Sequence, residues 1–443
     1  MADKIEPKKA QGNLPGGNPA AAHSTDQPIP VKKPGTRPAA VQRGTPWVDN
    51  LLMPALAVFT GLVVGGVIIA VSNDAAIAAW GNLFHNPIGA FKASWDAMFQ
   101  AYSALFAGAL GNPADLIAGF STYFATGQTA ALYKAIYPFT ESLVVTTPYI
   151  FLGLAVAIGF RCGLFNIGAE GQFFMGALGS AFVGYSIVGL PWFIHLPLAM
   201  LGGALAGAIW GAIPGYLKAK FGAHEVVNTI MMNWIAFRLS DWLLNGPMKA
   251  KGFRPVTPNV EVTAELPRFF PDPLRFNWGF VIALLFAVLV YWFLFKTTLG
   301  FEIRAVGANP DAAKYAGMSV MRNFVLVMTL SGAMAGLAGA TQVLGTDHWV
   351  GQGFSAGFGF DSIALALLGK SHPLGVVLAA LLFGILRGGA TSMQSLAGIS
   401  IYIISVIQGM VIIFVAAPGI IRWLYRLRVG VGEQTVLTRG WGK

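Results

Sequence analysis

Apolar stretches follow one another along this chain from Leu51 to Trp423, about ten of them, each near the roughly 20 residues a helix needs to cross a bilayer. They fall at 51–71, 141–160, 168–187, 195–216, 225–244, 278–295, 323–344, 358–371, 373–391 and 401–421, most of them without a charge in the middle. The pattern predicts an all-α integral membrane protein of about ten transmembrane helices. Between the first two, residues 73–140 form a long insertion; 91–110 has helical periodicity and reads as an amphipathic helix or two near the outer surface.

Two of the runs read as interrupted helices. The third opens on Asn166, Gly168, Glu170, Gly171 and Gln172; the eighth is short and flanked by Gly357, Gly359 and Gly369. They also resemble each other: Ala177-Leu178-Gly179 parallels Leu367-Leu368-Gly369, and Pro197-Leu198 opens the next run as Pro373-Leu374 does. Third and eighth of ten are five apart, an odd offset, so a repeat between them would be inverted, as in many transport folds. Shared composition is the other reading of the match. Glycines at 203, 207, 211 and 215, and Gly332, Gly336 and Ala340, put smooth ridges on two spans, suited to close helix packing within the subunit.

Only 11% of the 443 residues are charged, against about 25% in a soluble domain, too few to cover a soluble surface. The formal charge of +10 does not point to nucleic acid, because the basic residues lie mainly in tails and short loops. Arg161, Lys218, Lys220, Lys296, Arg304, Lys314, Arg322, Arg422, Arg426 and Arg428 all fall on one side of an even-numbered topology, which makes that side, and both termini, cytoplasmic. Residues 245–277 run against the bias, with Lys249, Lys251, Arg254, Arg268 and Arg275 only partly offset by Glu261, Glu265 and Asp272. The Pro/Gly/Ala/Lys-rich residues 1–46 read as a disordered cytoplasmic tail, 47–421 as the transmembrane domain and 422–443 as a second cytoplasmic tail.

Candidate chemistry rests on the few polar residues in these runs. Asn166 and Glu170 share a helix face. A carboxylate in a span costs about 2.5–3.5 kcal/mol on insertion scales. Glu170 therefore either lines a solute path or sits solvated at the cytoplasmic end, paired with Arg161. Glu225, Thr229 and Asn233 form a stripe; His224 and Glu225 suit a solvated helix start, while Asn228 and Asn233 lie deeper and suit a polar ligand. Asp361 opens an apolar run, as an N-cap or a residue near the external mouth. Gln342, Asp347 and Gln408 are weaker candidates. The six histidines are scattered and the one cysteine is Cys162, so neither a metal site nor a disulfide is indicated. Gly369-Lys370-Ser371 lacks the earlier glycine of a phosphate loop, since Ala364 stands there.

Between the sixth and seventh runs, Asn309 can cap a short helix with Pro310 in its first position and Asp311 in its first turn, ended by Gly317. A helix of about two turns is marginal alone and needs a surface to dock on. Residues 300–318 are similar to the cytoplasmic coupling loop of bacterial ABC-importer permeases of the ribose/nucleoside/branched-chain amino-acid group. The run 163–172 resembles that group's hallmark in its simple-sugar and nucleoside version, and 225–236 and 359–386 fit the same subgroup. The resemblance covers 141–421 and implies a multi-pass subunit of the bacterial plasma membrane. It implies no enzyme in this chain and no cofactor of its own: ATP and Mg would belong to partner ATP-binding subunits. The further implied partners are a second permease, an extracytoplasmic solute-binding protein, membrane lipid and a small polar, nucleoside-like or simple-sugar solute. The implied solute path is Asn166, Glu170, Gln172, Asn228, Asn233 and Asp361. The implied ATPase contact is Arg304, Ala305, Gly307, Asn309, Pro310, Ala312, Ala313, Tyr315, Ala316 and Gly317. The alternative is an ion-coupled secondary transporter, which would rely on intramembrane carboxylates.

Overall fold

A computed structural model describes residues 52–426 apart from Ala356. The tail at 1–46, the start of the first run at Leu51 and the stretch 427–443 lie outside the described residues. Sixteen α-helices follow in order: α1 (Met53–Ser72), α2 (Asp74–Gly81), α3 (Pro87–Leu110), α4 (Pro113–Thr126), α5 (Ala130–Arg161), α6 (Ala169–Ser186), α7 (Trp192–Phe221), α8 (Glu225–Asn245), α9 (Gly279–Lys296), α10 (Thr298–Ala308), α11 (Pro310–Tyr315), α12 (Val320–Gln342), α13 (Phe358–Leu368), α14 (Pro373–Ala397), α15 (Tyr402–Ala416) and α16 (Pro418–Leu424). No strand occurs among the described residues, only two isolated bridges, Val256 with Gly351 and Arg268 with Asn277.

All ten apolar runs coincide with helices, but length and apolarity together qualify fewer as spans. Six helices pass (α1, α5, α7, α9, α12 and α14), and a seventh if α15 and α16, bent by 87°, count as one. The expected ten is therefore not reproduced by this measure, for identifiable reasons. Glu170 and Gln172 lower the hydropathy of α6, and Glu225, Asn228, Asn233, Arg238 and Asp241 that of α8. α13, with 11 residues, covers about half the roughly 30 Å hydrocarbon thickness at 1.5 Å per residue.

α5 is the central helix: every residue from 144 to 159 except Val145 is buried or nearly so, with Tyr149–Leu152 and Leu154–Ala157 at 0% exposure. α9, by contrast, leaves Leu285, Val288, Leu289 and Trp292 exposed, as a helix facing lipid would. The two glycine ridges meet each other. A Cβ on Gly207 would lie 2.7 Å from Gly336 Cα, and one on Gly211 3.0 Å from Gly332 Cα. The backbones of α7 and α12 thus touch directly, and the ridges are spent inside the subunit. α6 joins this seam through Gly176 against Gly336 and Gly179 against Gly202.

Residues 73–140 form α2, α3, α4 and the first turns of α5. α3 buries Ala97, Ala101, Ala104, Leu105 and Ala109, and Gly108 and Gly389 mark its close approach to α14. The insertion is thus packed onto the bundle by a small-residue face. The discordantly basic segment 245–277 is partly neutralised: Arg275 pairs with Glu141, and Arg268 with Asp272 at 2.7 Å. Glu141, as hydrogen-bond and charge partner, raises Arg275 above the usual arginine range. This segment lies against the end of α12 through Thr257 N–H to Val350 O (2.9 Å), Val260 N–H to His348 O (2.9 Å) and Leu266 N–H to Leu344 O (2.8 Å).

Candidate functional site

After α5 the chain turns through Gly163, whose φ of +76° is a left-handed conformation. It then enters a buried loop held by amides. Asn166, fully buried, donates from Nδ2 to Gln172 Oε1 (2.9 Å) and Ser331 Oγ (2.8 Å) and accepts at Oδ1 from Gly168 N–H (2.9 Å). Ser331 in turn donates to Ala155 O at 2.7 Å, tying α12 to α5. Asn233 on α8 accepts from Gly171 N–H (2.8 Å) and donates to Ile167 O (3.0 Å). An irregular backbone in an apolar bundle must have its polar groups satisfied by protein, and these two asparagines supply that.

The first turns of α6 and α13 meet. Glu170, 2% exposed, accepts Ser355 Oγ–H at 2.5 Å and Gly359 N–H at 2.6 Å. A Cβ on Gly359 would collide with the Glu170 backbone, so only glycine permits this approach. A carboxylate at the start of α13 also meets the positive end of that helix. Beside it, Asp361 Oδ2 accepts Tyr149 Oη–H at 2.7 Å and Arg387 Nη1–H at 3.2 Å, and Arg387 also donates to Tyr149 Oη at 2.8 Å. The Arg387 guanidinium lies 4.3 Å from the Phe358 ring centroid. The Arg387 and Asp361 side chains keep 25% and 28% of their surface accessible, so the pair is only partly covered by the chain. Phe173 stacks on Phe354 at 5.1 Å, and Tyr149 and Phe358 are 4.8 Å apart. An ion pair rimmed by aromatic rings can hydrogen-bond hydroxyls and heterocycle edges while flat apolar faces stack alongside.

The candidates of the sequence thus divide. Asn166, Gln172 and Asn233 join one buried hydrogen-bonded network. Glu170 and Asp361 come together at the start of α13. Asn228 belongs to neither group, and its Nδ2 has no hydrogen-bond partner. Glu170 does not pair with Arg161, which donates instead to the carbonyls of Ser371 (2.8 Å) and Lys370 (3.2 Å). Asp361 is not an N-cap: Gly357 occupies that position with φ +86°, and the Asp361 side chain turns to α5 and α14. Glu225 ends as a helix-start residue paired with Lys218 at 2.8 Å. Two of the three residues of this polar cluster, Arg387 and Tyr149, were missed. Arg387, a lone charge within the ninth apolar run, carried a signal, since an intramembrane arginine needs a partner or a cavity. Tyr149 carried none.

The segment after α9 forms a two-helix elbow. Asn309 Oδ1 accepts Ala312 N–H at 3.0 Å, Pro310 starts α11, and Gly317 (φ +84°) ends it while Met318 N–H bonds Ala313 O at 3.0 Å. In α11 only Ala313 is buried; Pro310, Ala312, Tyr315 and Ala316 are exposed, Tyr315 by 97%. In α10 the picture reverses. Gly307 lies against Arg161 O and Cys162 C, Arg304 stacks over Phe295 at 5.1 Å, and Ala305 is half-buried.

Residues 139–416 match the family described as Branched-chain amino acid transport system / permease component. Guanosine ABC transporter permease protein NupP of Bacillus subtilis (strain 168) is 42% identical over 317 residues, covering 70% of this chain and 90% of that protein. Glucose ABC transporter permease protein TsgB13 of Haloferax volcanii is 36% identical over 302 residues (66% of this chain, 78% of that protein). Nucleoside ABC transporter permease protein NupB of Lactococcus lactis subsp. cremoris (strain MG1363) is 36% identical over 290 residues (63% and 79%). No solved structure matches the chain.

Proposed function

The chain belongs to the Branched-chain amino acid transport system / permease component family, and on that premise we propose that it is the multi-pass permease subunit of an ATP-driven importer for a nucleoside-like or simple-sugar solute. The observation that carries the reading is α11: a capped two-turn helix outside the bundle that buries Ala313 and offers Pro310, Ala312, Tyr315 and Ala316 to a partner. Such a helix gains stability by docking. ATP-binding subunits grip it and supply ATP and Mg; the chain itself adds no cofactor. Asn309 and Gly317 fix its ends, while Arg304, Ala305, Gly307 and Ala313 seat it. A second permease subunit completes the path and an extracytoplasmic binding protein delivers the solute. In this reading ten segments cross the bacterial plasma membrane, with α6–α7 and α13–α14 as inverted counterparts and both termini in the cytoplasm.

The solute path passes the start of α13. Two carboxylates (Glu170 and Asp361), one guanidinium (Arg387) and two helix starts, each worth about half a positive charge, nearly cancel there. A site of that balance suits an uncharged polyol or nucleoside and disfavours a phosphorylated one. Asn166, Gln172 and Asn233 act behind it by holding the loop before α6, and Asn228 lies at its margin. Movement at α11 reaches the path through contiguous contacts: Gly307 on the end of α5, then Arg161 on the Lys370–Ser371 turn, then α13.

The test is uptake of labelled nucleosides and hexoses into proteoliposomes holding this chain with its partner permease, ATPases and binding protein. ATP-dependent uptake of one class, lost on Tyr315→Ala with folding intact, supports the reading. Accumulation by this chain alone on a proton or sodium gradient would make it an ion-coupled secondary transporter and overturn it.

A further inference from the structure

Four elements converge on the ring of Phe295 near the end of α9. The Arg161 guanidinium lies 5.3 Å from the ring centroid and that of Arg304 5.1 Å. The His372 imidazole is 5.5 Å from Phe295 and 5.6 Å from Tyr291, and Tyr291 and Phe295 are themselves 5.3 Å apart. Two guanidiniums on one ring are close like charges. Among the described residues neither forms an ion pair. Arg161 spends donors on two backbone carbonyls, and Arg304 only its Nε on Gly300 O at 3.4 Å. The carboxylate on α10, Glu302, is turned away and accepts from Asn323 Nδ2 at 3.2 Å. Among the described residues only three of the ten guanidinium N–H donors are bonded, and the remaining nitrogens are not buried, so they are open to an anion with several acceptor oxygens.

The surroundings identify the anion. Val288, Leu289 and Trp292 are exposed on α9, a helix long and apolar enough to cross a membrane, and Tyr291 is 39% exposed. Tyr and Trp above a cationic cluster at the end of a span mark the depth of lipid head groups. An acidic group on a soluble partner would approach from beyond the helix ends, whereas a lipid phosphate arrives along the face of α9 already lined by these rings. We infer that Arg161, Arg304 and the Phe295–His372 edge form a binding site for the phosphodiester of an anionic phospholipid, its acyl chains lying along Val288 and Trp292. Burial and Arg161 hold His372 below the usual histidine range, so it serves as a neutral hydrogen-bonding edge and the two arginines supply the charge. The same arginines seat α10 and the α13–α14 turn, so a bound head group would brace the elbow that carries α11.

The test uses the full chain, delipidated in a neutral detergent and given phosphatidylglycerol, phosphatidylcholine or inorganic phosphate, with lipid retention by native mass spectrometry and melting temperature as readouts. Phosphatidylglycerol is expected to be retained and to raise the melting temperature more than phosphatidylcholine. A head-group contact through one arginine is worth about 1 kcal/mol, so Arg304→Gln should weaken retention about five-fold while Arg304→Lys keeps most of it. Arg304→Gln is the deciding variant, because Arg161 also holds a turn. Equal retention of both lipids, an unaltered Arg304→Gln, or inorganic phosphate stabilising as strongly as phosphatidylglycerol would each overturn the site.

Discussion

Replacing Asp361 by Asn tests the polar pair at the start of α13 most directly. The amide keeps the shape and can still accept from Tyr149, but Arg387 loses its counter-charge in a place where it has little water. Breaking a buried pair by removing one partner costs about 3–5 kcal/mol. Arg387 and Asp361 are about a quarter accessible (25% and 28%), so the lower end applies, about 3 kcal/mol. The double variant Asp361→Asn/Arg387→Gln removes the guanidinium together with the carboxylate and should recover a large part of that loss. Melting of the purified chain, followed by size-exclusion chromatography after heating, reads the four corners of this cycle. Strong non-additivity is expected, because neighbours in one network do not act independently. An Asp361→Asn variant that melts like the parent chain, or a double variant that loses the sum of the two singles, would show that the pair contributes nothing as a unit. Uptake is a separate readout, expected to fall in all three variants.

Asn166→Ala leaves the Gly168 N–H and the Gln172 side chain short of partners. Each unsatisfied buried group costs about 1–3 kcal/mol, so a clear drop in melting temperature should accompany reduced uptake; a change in uptake alone would point to direct solute contact instead. Gly307→Val drives a side chain into the carbonyl of Arg161 and should lift α10 off the bundle, lowering both stability and ATP-coupled uptake. Tyr315→Ala, at a residue 97% exposed, should change stability by less than about 0.5 kcal/mol and yet reduce ATPase binding, measured by co-purification. Because His372 is held below its ordinary pKa, the unfolded chain binds that proton more readily than the folded one. Stability from this group is thus present above about pH 6.5 and lost as pH falls below it; His372→Gln should flatten that part of the melting profile.

Hydropathy located every apolar helix because the bilayer constraint acts on each segment alone. The count of about ten is not confirmed by length and apolarity, which six or seven helices meet, because polar residues such as Glu170 and Gln172 on α6 lower the hydropathy of interior helices. The short helix after Asn309 was legible because caps are local: Asn309, Pro310 and Gly317 act on neighbours in sequence, whereas α10 before it was not foreseen. The glycine ridges gave a face without a partner, and only the fold pairs Gly207 with Gly336. Least legible was the polar pair. Asp361, Tyr149 and Arg387 lie on three helices and share no pattern in sequence; Asp361 looked like a cap because it opens an apolar run, yet the φ of +86° at Gly357 puts the cap four residues earlier. Asn166 was picked for the face it shares with Glu170 and Asn233 for its depth, but neither criterion separates a residue that meets solute from one that satisfies a loop.

The packing also indicates where the bundle can part. α6 belongs to the seam with α7 and α12, where backbones touch at Gly176, Gly207 and Gly336. α13 belongs with α5 and α14, where Gly153 receives Val376 and Leu365, and Gly369 lies on Gly375 and Val376. Separating helices inside either group would strip close backbone contact along a whole ridge. Between the groups at the proposed solute site, α6 is tied to α13 by the Glu170 carboxylate on Gly359, by the backbone contact there and by Phe173 beside Phe358, 6.1 Å apart. One hydrogen bond to a charged group is worth about 1.5–3 kcal/mol, and Ser355 adds a second from the adjoining loop. A path that opens by sliding α13 off Glu170 breaks the hydrogen bonds to that carboxylate, the backbone contact at Gly359 and a ring contact, while a path opened through the glycine seam breaks close contact along a whole ridge. α13 is also the element that the elbow at 298–318 reaches, through Arg161 and the turn whose Lys370 and Ser371 both sit at a φ of +51°. The short helix that carries Asp361 is thus a wall of the proposed site held to α6 at its start and joined to the elbow through Arg161 at its end.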